Sequence, residues 1–272
     1  MWNNVRILAF FIALLCIGEG YANKREKYNF NNGWLLKIGD EANASDPRFE
    51  DNNWKNVTLP RAFNEDEAFK VAIEQLTDTV VWYRKHFRIP NLENRKVFVE
   101  FEGIRQGGDF YLNGHRLGKH ENGVMAVGFD LTSYIKEGDN VLAVRVDNDW
   151  NYKEESTNTK FQWNDNRFNC NYGGIPKNVF LHITDNVYQT LPLYSNLETT
   201  GVYIYATDFD IKDRKAKIHA ESEVKNDSSE PRQFSFLVTL VDADGKTVKT
   251  FQGENVTLKP KETSCKSRVR SR

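Results

Sequence analysis

The sequence predicts an all-β protein, with a jelly-roll β-sandwich over residues 29–185 followed by a second β unit that is incomplete. Short apolar runs alternate with a period of two, so that Val97, Val99 and Phe101 point one way and Leu142, Val144 and Val146 repeat the pattern. Asn113-Gly114 stands between two such runs, where a tight hairpin needs positive φ at successive residues. Gly, Asn, Asp and Pro punctuate the chain often, leaving many strands, frequent turns and few helices.

In chain order, residues 1–22 read as an export signal: Arg6 precedes the apolar stretch 7–17, and Gly20-Tyr21-Ala22 ends in a small residue suited to cleavage. The stretch is too short to span a bilayer as a mature helix, and Leu15 before Cys16 is too large for a lipoprotein signal. Residues 23–27 are a polar leader. Strands are then expected at 34–38, 82–88, 97–103, 108–112, 115–119, 123–130, 140–147 and 179–184, with a capped turn at 131–135. Thr190-Leu191-Pro192 marks a linker over 186–200. Beyond it, 201–224 and 233–258 form the second β segment, with Asp244-Gly245 as a hairpin turn and a polar connection at 225–232. About four strands are legible there, whereas an immunoglobulin-like sandwich needs about seven. The basic end, 266–272, shows no strand pattern.

Composition excludes more than it selects. With 272 residues, 37 Lys plus Arg against 38 Asp plus Glu give a formal charge of −1, so a nucleic-acid partner lacks its electrostatic basis. Aromatic residues make up 13% of the chain, which suits sugar stacking and β-sandwich cores alike. Cys170 and Cys265 lie far apart, and no Cys or His spacing resembles a structural zinc site. No metal and no cofactor are expected.

The candidate chemistry is sparse. Glu100 and Glu102 suggest a glycosidase carboxylate pair, but they share the polar face of one half-buried strand, which accounts for them. His115 and His120 read as hairpin residues, and Asp147-Asn148-Asp149 as a solvated turn without the spaced ligands of a calcium loop. There is no G-x-S-x-G elbow, phosphate loop or dinucleotide fingerprint. Two polar, aromatic loops remain, 59–66 and 161–169, whose amides and carboxylates could bond sugar hydroxyls beside a ring such as Trp163. Packing of these loops on their own scaffold would account for them equally well.

The ordered series Trp82-Tyr83-Arg84-Lys85-His86-Phe87, Phe101-Glu102-Gly103-Ile104, Leu112-Asn113-Gly114-His115 and Leu117-Gly118 resembles the N-terminal sugar-binding domain of glycoside hydrolase family 2. Phe129-Asp130-Leu131-Thr132, residues 140–148 and Gly173-Gly174-Ile175 continue the match, and residues 201 onward resemble the start of the family's immunoglobulin-like domain. The resemblance looks strongest to secreted β-galactosidase-like members, and implies a β-galactoside or related β-glycoside as partner. Where the family commonly has an aromatic residue and Arg after Gly-Ile, this chain has Pro176 and Lys177.

The family carries its two glutamates on a (β/α)₈ barrel of roughly 250 residues, which does not follow here. The resemblance therefore implies a non-catalytic N-terminal portion, inactive alone, truncated before the barrel and partnered at most by a barrel on a separate polypeptide. It also implies that Asn64 contacts sugar, and that Asp165 or Asn166 does so beside Trp163. A free-standing carbohydrate-binding module and a purely structural β-sandwich are the alternatives.

Overall fold

The computed structural model describes residues 25–67, 70, 79–121, 123, 125–160, 172–213, 215–265 and 269–271. The first unit comprises the strands Glu26–Asn29 (β1), Trp34–Ile38 (β2), Lys55–Val57 (β3), Arg61–Ala62 (β4), Val80–Ile89 (β5), Arg95–Phe101 (β6), Gly107–Leu112 (β7), His115–His120 (β8), Val127–Asp130 (β9), Gly138–Asp147 (β10), Gly174–Ile175 (β11) and Val179–Asp185 (β12). They form a four-stranded sheet in the order β1-β12-β6-β9 and a six-stranded sheet in the order β3-β2-β5-β10-β7-β8. All pairings in both are antiparallel. The expected all-β, two-sheet architecture is the observed one.

Alternation decides which face each side chain takes. Val81 and Tyr83 of β5, Leu142, Val144 and Val146 of β10, and Val97, Val99 and Phe101 of β6 all enter one buried cluster between the sheets. Ring packing tightens it, with Phe101, Phe110 and Phe129 in sequence at centroid separations of 5.0 and 4.5 Å. The Asn113-Gly114 turn has φ of 52° and 86°, as a two-residue hairpin requires. Asn113 adds a second role: its Oδ1 accepts from the Val141 amide at 2.9 Å, tying the hairpin to β10.

β1 begins inside the expected polar leader 23–27, at Glu26 and Lys27. Its sequence, EKYN, carries no apolar alternation, and the strand is an exposed edge made by backbone pairing with β12. The strand expected over 123–130 begins only at Val127.

The outer face of the six-stranded sheet is covered by residues 39–54. Arg84 is fully buried there. Its Nε donates to Asp51 at 2.6 Å, and its other nitrogens donate to the carbonyls of Ala44, Asp46 and Phe49. Phe49 and Trp54 flank the guanidinium, with centroids 5.5 and 5.9 Å away. Burial alone would raise the Asp51 carboxyl, but hydrogen bonds from His86 and Arg84 outweigh it and hold the group below the ordinary carboxylate range. On the inner face, Lys85 donates to the Asn32 carbonyl with Phe30 4.4 Å below its ammonium. Desolvation lowers this lysine to about 8.

The segment 186–200 carries the strand Val187–Gln189 (β13), which pairs with Lys215–Asn226 (β15) of the second unit, past Val202–Asp210 (β14). Tyr188, Leu191 and Leu193 then pack on Phe98, the outward residue of β6, with Leu197 beside them. Buried Glu223 closes this strap, accepting from the Thr190 hydroxyl at 2.6 Å and the Thr200 hydroxyl at 3.1 Å. Asp227 accepts from the Tyr188 hydroxyl at 2.8 Å and pairs with Lys96 of β6 at 3.4 Å, so charge as well as apolar contact joins the units.

In the second unit β15 is central and pairs with β13, β14, Thr263–Cys265 (β20) and Val269–Ser271 (β21). Arg232–Phe234 (β16) pairs with Val256–Leu258 (β19), and Leu237–Val241 (β17) with Thr247–Gln252 (β18) across the turn containing Asp244-Gly245. Short strands make this unit richer than the four legible in sequence. Ile204, Phe209, Ile211, Leu237 and Val248 stand exposed on it.

Two stability predictions follow from the buried charges. Asp51→Asn leaves the Arg84 guanidinium short of its counter-ion and is expected to cost about 3 kcal/mol in urea unfolding at neutral pH. The depressed Asp51 pKa makes its contribution full above the ordinary carboxylate pKa and lost as pH falls through the folded value, so the variant should lose that acid limb. Lys85 behaves oppositely. Its unfolded form holds the proton up to 10.5, so wild-type stability should rise between pH 8 and 10.5, and Lys85→Met should flatten that rise.

Candidate functional site

One end of the jelly roll gathers the loops. β5 and β7 start there, at Val80 and Gly107, while β10 ends there at Asp147. In the other sheet β6 ends there, and residues 102–106 cross directly to β7. The connections containing β4, β11 and residues 148–160 therefore leave the same rim.

Gly173 and Gly174 organise it. Gly174 (φ 102°) exchanges backbone hydrogen bonds with Arg105 at 2.9 and 2.7 Å and pairs with Ala62 of β4. A Cβ here would overlap the hydroxyl of Tyr83, which rises from β5 to donate to the Arg61 carbonyl at 2.7 Å. Next to it, Gly173 accepts at its carbonyl from the Phe63 amide at 3.0 Å, and a side chain would overlap Phe63 and Asn148. Four loops meet only because these two positions carry no side chain. Burial pushes the Tyr83 phenol well up, keeping it a donor.

Charged groups fill the loop after β4. Arg61 pairs with Glu65 at 2.5 Å and with Asp66, and Lys55 reaches Asp66 at 2.7 Å. The Lys55 hydrogen bond, reinforced by Arg61, lowers the Asp66 carboxyl. Across the rim, the Tyr152 hydroxyl donates to Glu121, which also accepts the Glu155 amide at 3.0 Å. Burial and the Glu121 contact raise the Tyr152 phenol. These carboxylates are occupied by partners within the fold.

Asn64, the amide read from the first polar loop, lies at this rim and is buried. Trp163, Asp165 and Asn166 lie outside the described residues. Sequence reading passed over Tyr83 and Asn148 as site builders. It also passed over Gln106, buried at the start of β7 with neither amide atom hydrogen-bonded among the described residues. The clue was the spacing of Gly173-Gly174 against Tyr83, which only the tertiary contact makes meaningful. The other candidates lie elsewhere or serve packing. Glu100 accepts from His182 at 2.8 Å and lies 3.6 Å from Lys27, and Glu102 accepts from Asn178. His115 stacks on Tyr134, while His120 is buried with Nε2 3.2 Å from the Met125 carbonyl.

Residues 54–183 match the family described as glycosyl hydrolase 2 galactose-binding domain-like. This is the same stretch that carries the rim. Residues 54–183 are a domain of the glycoside hydrolase family 2 kind. A β-glucuronidase of Formosa agariphila is 37% identical over 238 residues, covering 84% of this chain and 24% of its own length. A β-galactosidase of Bacteroides ovatus is 29% identical over 241 residues, covering 86% of this chain and 26% of its own. The solved structure of a family 2 β-glucuronidase superposes with a TM-score of 0.79 at 34% identity, over 91% of this chain and 26% of that one.

The chain thus spans about a quarter of the length of these relatives and corresponds to the N-terminal portion of family 2 glycosidases. A β-glucuronidase stands among them at higher identity than the β-galactosidase, so the β-galactosidase leaning of the sequence does not single out one glycone.

Gly174→Ala is expected to destabilise the family 2 domain by about 3 kcal/mol, from strain at positive φ together with overlap on Tyr83. Gly245→Ala is the control, with a φ of 80° but open space around it, and should cost only about 1 kcal/mol. Thermal melts of the two variants check the difference.

Proposed function

We propose that this chain is the non-catalytic N-terminal portion of an exported β-glycosidase, lining the rim of a sugar pocket whose catalytic acids sit on a barrel elsewhere in the complete enzyme. The observation that carries the reading is the rim itself: β4, β11 and residues 102–106 are locked together at one end of a jelly roll that belongs to family 2. The carboxylates described there are held by Arg61, Lys55 and Tyr152, which suits positioning and not proton transfer. Asn64 and the loop containing Trp163, Asp165 and Asn166 would orient the glycone, which is a β-galactoside or β-glucuronide by the names of the relatives. Export is supported by Arg6, the apolar stretch 7–17 and the small residue at Ala22.

The pure chain is expected to turn over neither an aryl β-galactoside nor an aryl β-glucuronide, and turnover of either would overturn the reading. In a chimera that carries this chain in place of the corresponding quarter of the Formosa agariphila β-glucuronidase, Asn64→Ala should lower kcat/KM by about tenfold. An unchanged kcat/KM in a folded chimera would remove Asn64 from the pocket.

A further inference from the structure

The inward faces of β7 and β10 form one column of paired residues. Val144 stands opposite Phe110 and Val146 opposite Gly108, with Phe110, Val144 and Val146 in the core between the sheets. Gly108 belongs to the same face, because a Cβ there would meet Ile104 and Phe110. The next pair, Asp147 and Gly107, faces the other way: Asp147 pairs with Arg145 at 3.3 Å, and a Cβ on Gly107 would overlap Tyr152. One step further, alternation turns Gln106 and Asn148 inward again, at the loop end of the core. Two contacts agree with this placement. Arg105 is bonded to Gly174, and the Asn148 carboxamide lies where a side chain on Gly173 would be. The apolar column therefore ends, under the Gly173-Gly174 junction, in two carboxamides that are 1% and 0% exposed.

The two differ in their bonding. Asn148 has contacts of its own within the fold, and its backbone amide donates to the Thr79 carbonyl at 2.9 Å. Neither Oε1 nor Nε2 of Gln106 has a hydrogen-bond partner among the described residues. A carboxamide shut away from solvent with both groups unbonded costs roughly five- to a hundredfold in the folding equilibrium. Chemistry selects what could offset that cost. Oε1 accepts and Nε2 donates, so a ligand atom that both gives and takes a hydrogen bond satisfies the pair. A bare cation would meet the Nε2 donor, and a carboxylate would meet the Oε1 acceptor. A sugar ring carries suitable hydroxyls, but at 1% exposure Gln106 offers a ring no approach. One water molecule fits where a ring cannot, and buried waters typically make about three such bonds.

We infer that Gln106 holds a resident water beneath the rim, between the crossing 102–106 and the residues that follow β10. The site lies on the inner side of the junction, and its role is to satisfy the polar floor on which Gly173 and Gly174 rest. It goes beyond the pocket reading and uses no sugar chemistry, so it stands or falls separately from that reading.

A crystal structure of the full chain, with thermal melts of wild type and Gln106→Met, tests it. Density for a water within about 3.2 Å of both Oε1 and Nε2 is expected in the wild type. Gln106→Met keeps the length of the side chain and removes both polar groups. If the water is resident, the variant loses its anchor and should melt about 3 °C lower. If the carboxamide is simply unbonded, the variant should melt at the same temperature or higher, and that result overturns the site. A protein group in place of the water overturns it too. Should Gln106→Met fail to fold, the wild-type density decides alone. A crystal soaked in lactose separates the remaining source of hydroxyls. Density at Gln106 that appears only with lactose, and is continuous with the sugar, overturns the water site and assigns Gln106 to the sugar pocket. Water density that is present without lactose upholds the site, even if the pure chain proves able to turn over a glycoside.

Discussion

The antiparallel pairing of β5 with β10, continuous over ten residues of each, is the constraint on which the rest of the structure depends. Its register sets the alternation that sends Val81 and Tyr83 inward and Trp82 and Arg84 outward. A slip by one residue would bring a guanidinium into the core and turn the Tyr83 hydroxyl away from Gly174. Both the core and the rim follow from that one register. The outer covering follows too, because residues 39–54 fold around the outward Arg84.

The rim and the covering loop use different physics at opposite sides of one strand. Tyr83 holds the rim through a single hydroxyl that Gly174 admits, while Gly173 admits Phe63 and Asn148, a steric arrangement in which an added methyl at either glycine overlaps. Arg84 holds the covering loop through charge, since a buried guanidinium needs its carboxylate and carbonyls to offset desolvation. Such rigidity suits a binding surface, because groups fixed before binding lose little entropy on binding.

The strap over residues 187–200 extends this rigidity into the second unit. Its apolar residues cover Phe98 on the outer face of β6, and Glu223 closes its two ends onto β15. The same strap brings Ser195 against Val127 and beside the end of β8, so one segment both couples the units and shapes the surface there. Thr190-Leu191-Pro192 reads as a linker because Phe98, against which Leu191 packs, is distant in sequence.

The sequence by itself determined the all-β class, the main strands and the Asn113-Gly114 hairpin, because period-two alternation and positive φ are local properties of a few successive residues. It also carried the family, through short motifs in a fixed order. Asn64 was legible as a rim residue only through that family likeness. Tertiary structure alone decided that β1 is a strand, that residues 187–189 join the second sheet, and that Gly173 and Gly174 face Asn148 and Tyr83. Each of these depends on partners many residues away, where edge hydrogen bonds and close approach leave no periodic mark on the chain.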